Sequence, residues 1–375
     1  MRVLVACARF FLELIYAFLK LLPVRHKVVM ISRQADSPSV DFRLLKRCME
    51  KQDPQIQVVM LCRTLDGKLH AEKTALIRYG FHMLRQMYEI ATAEAVVLDT
   101  YCIVVSLLHH RKNLRVMQMW HSMGSMKKFG YTALDTQEGV PSSSAHLLHM
   151  HENYTTIFAS SPVYAADLAA GFGYGEEIVK VMPLPRTDLL ASRTYKNRRR
   201  QQILEAYPNL RNKKVILYCP TFRQDESCFR EAVIKLAETI HPEAEALVMN
   251  PHPLSKLSVE APGLICGTSF SSFDLLSVAD VMITDYSCIA YEAAFCGIPL
   301  YFYDFDMDDY LSERGLAIDY YAEIPGPALH DPQALMESIR NGGYDMDRLR
   351  AFAEKYICYS GHAGADLAEY VLSEG

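Results

Sequence analysis

The sequence predicts an α/β protein with two units, each a parallel sheet whose strands are joined by helical crossovers. Its 375 residues exceed what one compact core usually holds. Short apolar, β-rich runs alternate with helical runs in two series, and a polar, basic stretch at 194–214 separates them. Open parallel sheets bind ligands at the carboxyl ends of their strands, so we expect a site in a cleft between the units.

An apolar segment opens the chain and predicts an amphipathic helix over residues 1–25. Residues 3–22 approach the length of a membrane span, but charged residues interrupt them, each costing about 2.5–3.5 kcal/mol at the bilayer centre. Apolar positions from Phe10 to Leu21 follow the helical period and basic residues flank them, which favours a helix on a membrane surface. A helix packed on the first unit is the alternative.

The remaining elements follow in two series, which predict an N-terminal domain over 26–185 and a C-terminal domain over 186–375. The first series has predicted strands at 27–32, 57–62, 95–99, 113–120 and 155–161, and helices at 41–51, 74–93 and 163–173. The second has predicted strands at 215–220, 245–253, 263–266, 280–285 and 298–304, and helices at 228–240 and 288–297.

Composition excludes several classes of function. The net charge of −5 provides no global basic field for a nucleic acid. The ten cysteines form no CxxC pair, which argues against a zinc ribbon or a redox dithiol. No P-loop, GxGxxG, GxSxG or HExxH motif is present, so we expect no cofactor and no metal. The acidic run at 304–310 lacks the pattern of a calcium loop and predicts a solvated loop.

The stretch QMWHSMGSMKKFGY at 118–131 follows a predicted strand and carries the first candidate site. His121 would face the crevice, where a histidine can accept a proton at neutral pH. Gly124 permits a tight turn, and Lys127 and Lys128 add positive charge. Because most histidines are structural, a purely structural His121 is the alternative.

Two further motifs stand at strand ends. In YCPTFR at 218–223, Thr221 and Arg223 can donate to phosphate oxygens, unless the arginine pairs with a surface carboxylate. In NPHP at 250–253, the flanking prolines stiffen the backbone of His252, which suits a positioned ligand contact. A rigid turn with an incidental histidine is the alternative for this motif.

The last motif, DVMITDYSCIAYEAAFCGIPLYFY at 280–303, ends a strand at Asp285 and starts a helix. Ser287 can cap that helix, and a capped N-terminus with open backbone N–H groups is a ready anion site. Glu292, further along the helix, can reach a ribose hydroxyl. An ordinary capped helix is the alternative.

Taken in order, WHSMGSMKKFGY, PRTD, YCPTFR, NPHP and DYSCIAYEAAFCGIPLYFY resemble the CDP-glycerol glycerophosphotransferase family of teichoic acid synthesis, most closely its short primase branch. The resemblance implies a GT-B fold of two Rossmann-like domains with an interdomain cleft, preceded by the amphipathic N-terminal helix. It implies transfer of glycerol phosphate from CDP-glycerol to a hydroxyl of an undecaprenyl-diphosphate-linked disaccharide, with release of CMP.

The resemblance also implies roles for individual residues. His121 is the expected general base, and His252 contacts the donor pyrophosphate. The expected phosphate-binding residues are Arg186, Thr221, Arg223 and Ser287. Glu292 would bind the ribose, and Gly124, Lys127 and Lys128 lie on the acceptor side. The chain has WHSMGSMK where many members have WHGTPLK, and we expect its acceptor preference to differ from theirs. It has DYSC where DYSS is usual, so one hydroxyl that could bind phosphate is lost.

Three alternatives remain at this point: a transferase using CDP-ribitol or another CDP-polyol, a GT-B glycosyltransferase using a nucleotide sugar, and a non-catalytic GT-B-like subunit. For the enzyme we expect a peripheral position on the cytoplasmic face of the cell membrane. The expected partners are the donor, the lipid-linked acceptor and the membrane surface, without nucleic acid; a homo-oligomer stays open.

Overall fold

The computed structural model describes residues 2–64, 73–223, 226–251, 255, 257–313 and 315–373. These residues form two compact units. The first holds the chain up to His121, 129–188 and the stretch from Cys358 onward, and the second holds 122–128 and 189–357.

The first unit contains a six-stranded parallel sheet in the order β2-β1-β3-β4-β5-β6. Its strands are β1 Lys27–Ser32, β2 Gln57–Cys62, β3 Ala95–Leu98, β4 Arg115–Gln118, β5 Thr156–Ala159 and β6 Val179–Val181. Its helices are α1 Arg2–Leu19, α2 Val40–Gln52, α3 Lys73–Ala91, α4 Ile103–Leu107, α5 Ser142–Leu147, α6 Pro162–Phe172 and α16 Ala363–Leu372. Helix α7, Arg186–Ala191, begins in the first unit and ends in the second, because the two units divide after Asp188. Runs such as KVVMIS are buried along their whole length because helices cover both faces of a parallel sheet.

The second unit repeats this plan with the sheet order β12-β11-β10-β7-β8-β9, again parallel. Its strands are β7 Lys214–Cys219, β8 Glu245–Met249, β9 Leu264–Cys266, β10 Val281–Thr284, β11 Leu300–Tyr303 and β12 Ala328–Leu329. Its helices are α8 Arg193–Ala206, α9 Ser227–Glu238, α10 Ser272–Leu275, α11 Ile289–Phe295, α12 Met307–Glu313, α13 Tyr320–Glu323, α14 Pro332–Asn341 and α15 Met346–Tyr356. The ten strands predicted from the sequence are all present.

The C-terminal helix α16 belongs to the first unit, which differs from the predicted domain 186–375. It packs against α2, and the Gln52 side chain donates to the Ala365 carbonyl at 2.8 Å. Asp188 of the PRTD motif accepts hydrogen bonds from the backbone N–H groups of Ala363 and Gly364, each at 2.9 Å. A carboxylate at this helix N-terminus satisfies open donors and holds the returning chain on the first unit.

Helix α1 has two different faces. Tyr16 is fully buried in the core of the first unit, and its hydroxyl lies 2.7 Å from Nδ1 of His110. The opposite face leaves Phe10, Phe11 and Phe18 each more than 60% exposed. The helix is therefore both packed on the unit and amphipathic. Within the described part of the chain, no helix is long and apolar enough to cross a bilayer.

Candidate functional site

A strained turn after β4 positions His121. Trp120 has φ of 60°, a left-handed conformation that costs a non-glycine residue roughly 1–3 kcal/mol. The fully buried Gln118 holds this turn, because its Oε1 accepts the Trp120 N–H at 2.9 Å. The Trp120 ring lies 4.1 Å from the His121 ring, centroid to centroid. Strain of this kind is typical of functional sites, where it re-aims a side chain.

Two contacts bear on the protonation of the His121 ring. Its Nδ1 lies 2.9 Å from the backbone carbonyl oxygen of Asp99, at the end of the neighbouring strand β3, and because a carbonyl oxygen only accepts, this contact favours a proton on Nδ1. The nitrogen of the Gln34 side-chain amide lies 3.1 Å from the same Nδ1, and because an amide nitrogen only donates, this contact favours the proton on Nε2. His121 is half-buried, and in either neutral tautomer one ring nitrogen can accept a proton, as a general base must.

Asp99 is a buried acid directly behind this histidine. Its side chain is 1% exposed, and burial raises its pKa to about 7, against the opposing effect of the Ser32 and Thr100 hydroxyls. The charge of Asp41 raises the pKa further. A carboxyl group that titrates near neutral pH is a feature of functional sites, and nothing in the sequence pattern had singled it out.

The segment after His121 leaves the first unit, although the sequence placed it on the acceptor side of the N-terminal domain. Residues 122–128 belong to the second unit. Lys127 forms an isolated antiparallel bridge with Leu316, and the Lys128 N–H donates to the Gly315 carbonyl at 3.3 Å. Gly124 is required for close packing rather than for a turn, because a Cβ there would lie 2.4 Å from the Tyr291 ring.

In the second unit, the predicted phosphate donors at the end of β7 are bound to protein carboxylates. The Arg223 guanidinium is 9% exposed and donates to Asp306 from Nε at 2.9 Å and from Nη2 at 3.0 Å. Its Nη1 donates to Asp285 at 2.5 Å. Thr221 donates to Asp285 through its hydroxyl at 2.8 Å and its N–H at 2.9 Å. The sequence had assigned both donors to phosphate.

This network gives Arg223 and Thr221 protein partners and a structural role, and phosphate binding by these two residues stays a prediction. Burial alone would lower the pKa of Arg223, but the charges of Asp285 and Asp306 outweigh burial and hold that pKa well above its ordinary value. Four aromatic rings surround the guanidinium at 5.4–5.8 Å, namely those of Phe229, Tyr286, Phe305 and Tyr310. The expectation of a solvated loop at 304–310 is wrong, because Asp304 is fully buried and Asp306 belongs to this network.

The β10–α11 turn supplies the other predicted donor-side residues. Ser287 is half-buried, and its hydroxyl has no hydrogen bond to another described residue. Cys288, not Ser287, occupies the cap position of α11. Glu292 is buried. The pKa of the Cys219 thiol is raised to about 12, mainly because this thiol is buried and in part because of the negative charges of Asp285 and Glu292. Phosphate binding by Ser287 and ribose binding by Glu292 stay predictions.

Arg186 lies in the first unit, whereas Thr221 and Arg223 lie in the second. Its Nε donates to Asp41 at 2.7 Å, and its backbone N–H donates to the same carboxylate at 2.8 Å. Asp41 is 1% exposed, so this is a buried ion pair that ties α7 to α2. His252 lies outside the described residues. Among the described residues, no group of three or more His, Cys, Asp or Glu is placed to hold a metal ion.

The sequence is similar to known proteins over most of its length. The sequence model of CDP-glycerol:poly(glycerophosphate) glycerophosphotransferases matches residues 14–373. A teichoic acid ribitol-phosphate primase of Bacillus spizizenii is 30% identical, over 94% of this chain and 92% of its own. A teichoic acid glycerol-phosphate primase of Bacillus subtilis is 26% identical, over 82% of this chain and 79% of its own.

Solved structures show the fold. The wall teichoic acid polymerase TagF superimposes with a TM-score of 0.74 at 16% identity, over 99% of this chain and 96% of that one. A TagF variant soaked with CDPG gives a TM-score of 0.72, over 100% and 97% of the two chains at 16% identity. The architecture is therefore GT-B-like, as predicted. The family model and the primase relatives show that the chain belongs to the CDP-glycerol:poly(glycerophosphate) glycerophosphotransferase family and is an enzyme of the phosphotransferase class.

Proposed function

We propose that this protein transfers glycerol phosphate from CDP-glycerol to a hydroxyl of an undecaprenyl-diphosphate-linked disaccharide in wall teichoic acid synthesis. The acceptor oxygen forms a bond to the glycerol-bearing phosphorus, and the bond from that phosphorus to the CMP oxygen breaks. The acceptor proton passes to Nε2 of His121, and CMP leaves with the electron pair. Phosphoryl transfer depends mainly on positioning and charge stabilisation, so a single well-placed histidine is sufficient as the general base for this step.

The observation that carries the proposal is the placement of His121. The strained turn at Trp120 holds this half-buried histidine at the carboxyl end of a parallel strand, with Nδ1 2.9 Å from the Asp99 carbonyl oxygen. We propose that Nδ1 donates to this carbonyl in the reacting enzyme, which makes Nε2 the proton acceptor. Membership of the family supports the CDP-activated donor. On the donor side we propose that His252 contacts the pyrophosphate, with Ser287 on a phosphate oxygen and Glu292 on the ribose.

CDP-ribitol is the second candidate donor, because the ribitol-phosphate primase matches this chain at 30% identity over nearly its whole length. The two donors differ in the length of the polyol, so the mechanism at His121 is the same for both.

A nucleotide-release assay decides between the donors. The purified protein receives CDP-glycerol, CDP-ribitol or a panel of UDP-sugars, each with and without a lipid-linked disaccharide, and CMP and UDP are quantified. CMP release that requires CDP-glycerol and acceptor supports the proposal. Release with CDP-ribitol alone supports the second candidate, and UDP release would assign the protein to the glycosyltransferases.

We also propose a peripheral position on the cytoplasmic face of the membrane, through the exposed face of α1. Phe10 is 66% exposed and Phe18 65%, two turns apart on one helix. Replacing both by Ser should release the protein from anionic vesicles without unfolding it, since neither packs in the core. Leu311→Ser, an exposed apolar position of the second unit, is the matched control and should leave vesicle binding unchanged. Retained binding by the double variant would contradict the proposal.

A further inference from the structure

A polar pocket lies at the end of β2 in the first unit, apart from the residues assigned above. It has a volume of about 340 Å³, and its polar wall is formed by Asp36, Cys62, Arg63, His82 and Arg85. Arg63 follows β2 directly, and the histidine and second arginine come from α3. The pocket therefore stands at the carboxyl edge of the parallel sheet, where such folds bind ligands.

The charges of this pocket are unbalanced. Asp36 accepts from the Thr64 N–H at 2.8 Å and from its hydroxyl at 3.0 Å, and it forms no ion pair with another described residue. Within the described part of the chain, the guanidinium groups of Arg63 and Arg85 have no hydrogen bond or ion pair. Burial lowers the pKa of His82 and the two arginines lower it further, whereas the charge of Asp36 raises it. Nε2 of His82 lies 3.1 Å from the Gln86 side-chain amide nitrogen, which leaves Nδ1 as the ring atom for a ligand. The guanidinium groups thus have no protein partner among the described residues and can donate to an anion with several oxygens, for which arginine is the preferred partner.

Helix α3 places an apolar stripe beside these donors. The helical spacing of 78, 82 and 85 forms one stripe of basic side chains. Each of these positions follows an exposed apolar residue, and these residues are Ile77 at 59%, Phe81 at 68% and Leu84 at 40% exposure. Helix α1, with its own exposed phenylalanines, packs against α3. A ligand with a phosphate group and a hydrocarbon chain would satisfy both stripes at once.

One short loop joins the pocket to the proposed reaction centre. Gln34 contacts Nδ1 of His121, and Asp36, two residues later, lines the pocket. Two residues span at most about 7 Å between their Cα atoms. A ligand with its phosphate in the pocket and its hydroxyl at His121 would need only a short glycan between the two groups.

We propose that Arg63, His82 and Arg85 bind the diphosphate of the lipid-linked acceptor, with its hydrocarbon chain along the apolar stripe of α3. The proposal rests on the proposed function for the identity of the acceptor. The pocket would fix the distance between the diphosphate and the reacting hydroxyl, and so select acceptors by the length of their glycan.

Binding of geranyl diphosphate to the full-length protein tests the pocket without any need for catalysis. We expect the double variant Arg63→Gln, Arg85→Gln to bind this probe at least about tenfold more weakly by titration calorimetry, since charge-assisted hydrogen bonds are lost. Arg47→Gln removes an exposed charge of α2, in the same unit but outside the pocket and the stripe, and should change the affinity less than twofold. Equal effects of the two changes, or no effect of either, would overturn the proposal.

Two further binding experiments distinguish a lipid diphosphate from free pyrophosphate and from membrane headgroups. Inorganic pyrophosphate should bind more weakly than geranyl diphosphate, and equal affinity would overturn the role of the apolar stripe. Vesicles of phosphatidylglycerol without acceptor should bind the double variant and Arg47→Gln equally; a selective loss in the double variant would make the pocket a general headgroup contact and overturn the proposal.

Turnover gives the independent check. The double variant should raise KM for the lipid-linked acceptor about tenfold and leave kcat and the donor KM unchanged. An unchanged acceptor KM would overturn the pocket while CMP release still supported the proposed function. Absence of CMP release from the unmodified protein would refute the function alone, because probe binding reports the pocket separately.

Discussion

Replacing Asp99 by Asn should stabilise the first unit, and the gain should grow with pH. The pKa of this carboxyl rises from an ordinary 3.8 to about 7 on folding, chiefly through burial. The folded state therefore holds the proton more tightly than the unfolded state. Stability contributed by the protonated acid is present below about pH 4 and is lost as pH rises toward 7. Asparagine has nearly the same shape and cannot ionise, so it removes this loss.

The size of the effect follows from the shift. Each pKa unit corresponds to about 1.4 kcal/mol, so the full cost of ionising Asp99 is about 4 kcal/mol above both pKa values. At about pH 4.5 only part of the unfolded population has ionised, and the cost is about 1 kcal/mol. The variant should therefore gain roughly 3 kcal/mol more at about pH 8 than at about pH 4.5.

The single tryptophan makes the assay specific to the first unit. Trp120 is the only tryptophan of the chain and lies beside His121, so its fluorescence in urea follows unfolding of the unit that contains Asp99. Asp347→Asn is the control, because its side chain is 89% exposed and its charge should matter little. A gain for Asp99→Asn that is the same at both pH values, or a loss at the higher pH, would refute the reasoning.

Two other substitutions test the second unit by urea unfolding followed by circular dichroism. Arg223→Leu should cost about 3–5 kcal/mol, because it leaves the carboxylates of Asp285 and Asp306 without their cation; a loss below about 1 kcal/mol would show that the network is not structural. Gly124→Ala should cost roughly 1–3 kcal/mol, because the new Cβ overlaps the Tyr291 ring, and a neutral result would contradict that packing.

The sheet strands could be predicted because local apolar runs determine them. KVVMIS and QVVMLC form strands with the predicted bounds, since each contains at least four consecutive apolar residues. The short edge strand β6 at Val179–Val181 was missed, because it is mostly exposed and lacks that pattern. The return of α16 to the first unit also lies beyond local pattern, since it depends on Asp188, far away in sequence.

The site shows the same limit. The placement of His121 at a strand end follows from the strand before it, but the contacts of its ring depend on the Asp99 backbone and the Gln34 side chain, which are distant in sequence. Arg223 was expected to hold phosphate because arginine commonly does so. Its actual partners, Asp285 and Asp306, come from 62 and 83 residues away in sequence, and a single sequence carries no signal for such pairing. Acidic residues at strand ends and in the run at 304–310 were the only available hint.

The central claim is that His121 is the base that accepts the acceptor proton, and steady-state CMP release by His121→Ala tests it most directly. We predict a loss of roughly 10²–10⁴-fold in kcat, the usual contribution of a positioned general base. The dissociation constant for CDP-glycerol, measured by calorimetry on the same preparation, should stay within about twofold of the unmodified protein, since His121 is assigned to the acceptor. Unchanged kcat would contradict the claim, and a lost affinity for CDP-glycerol would assign His121 to donor binding instead.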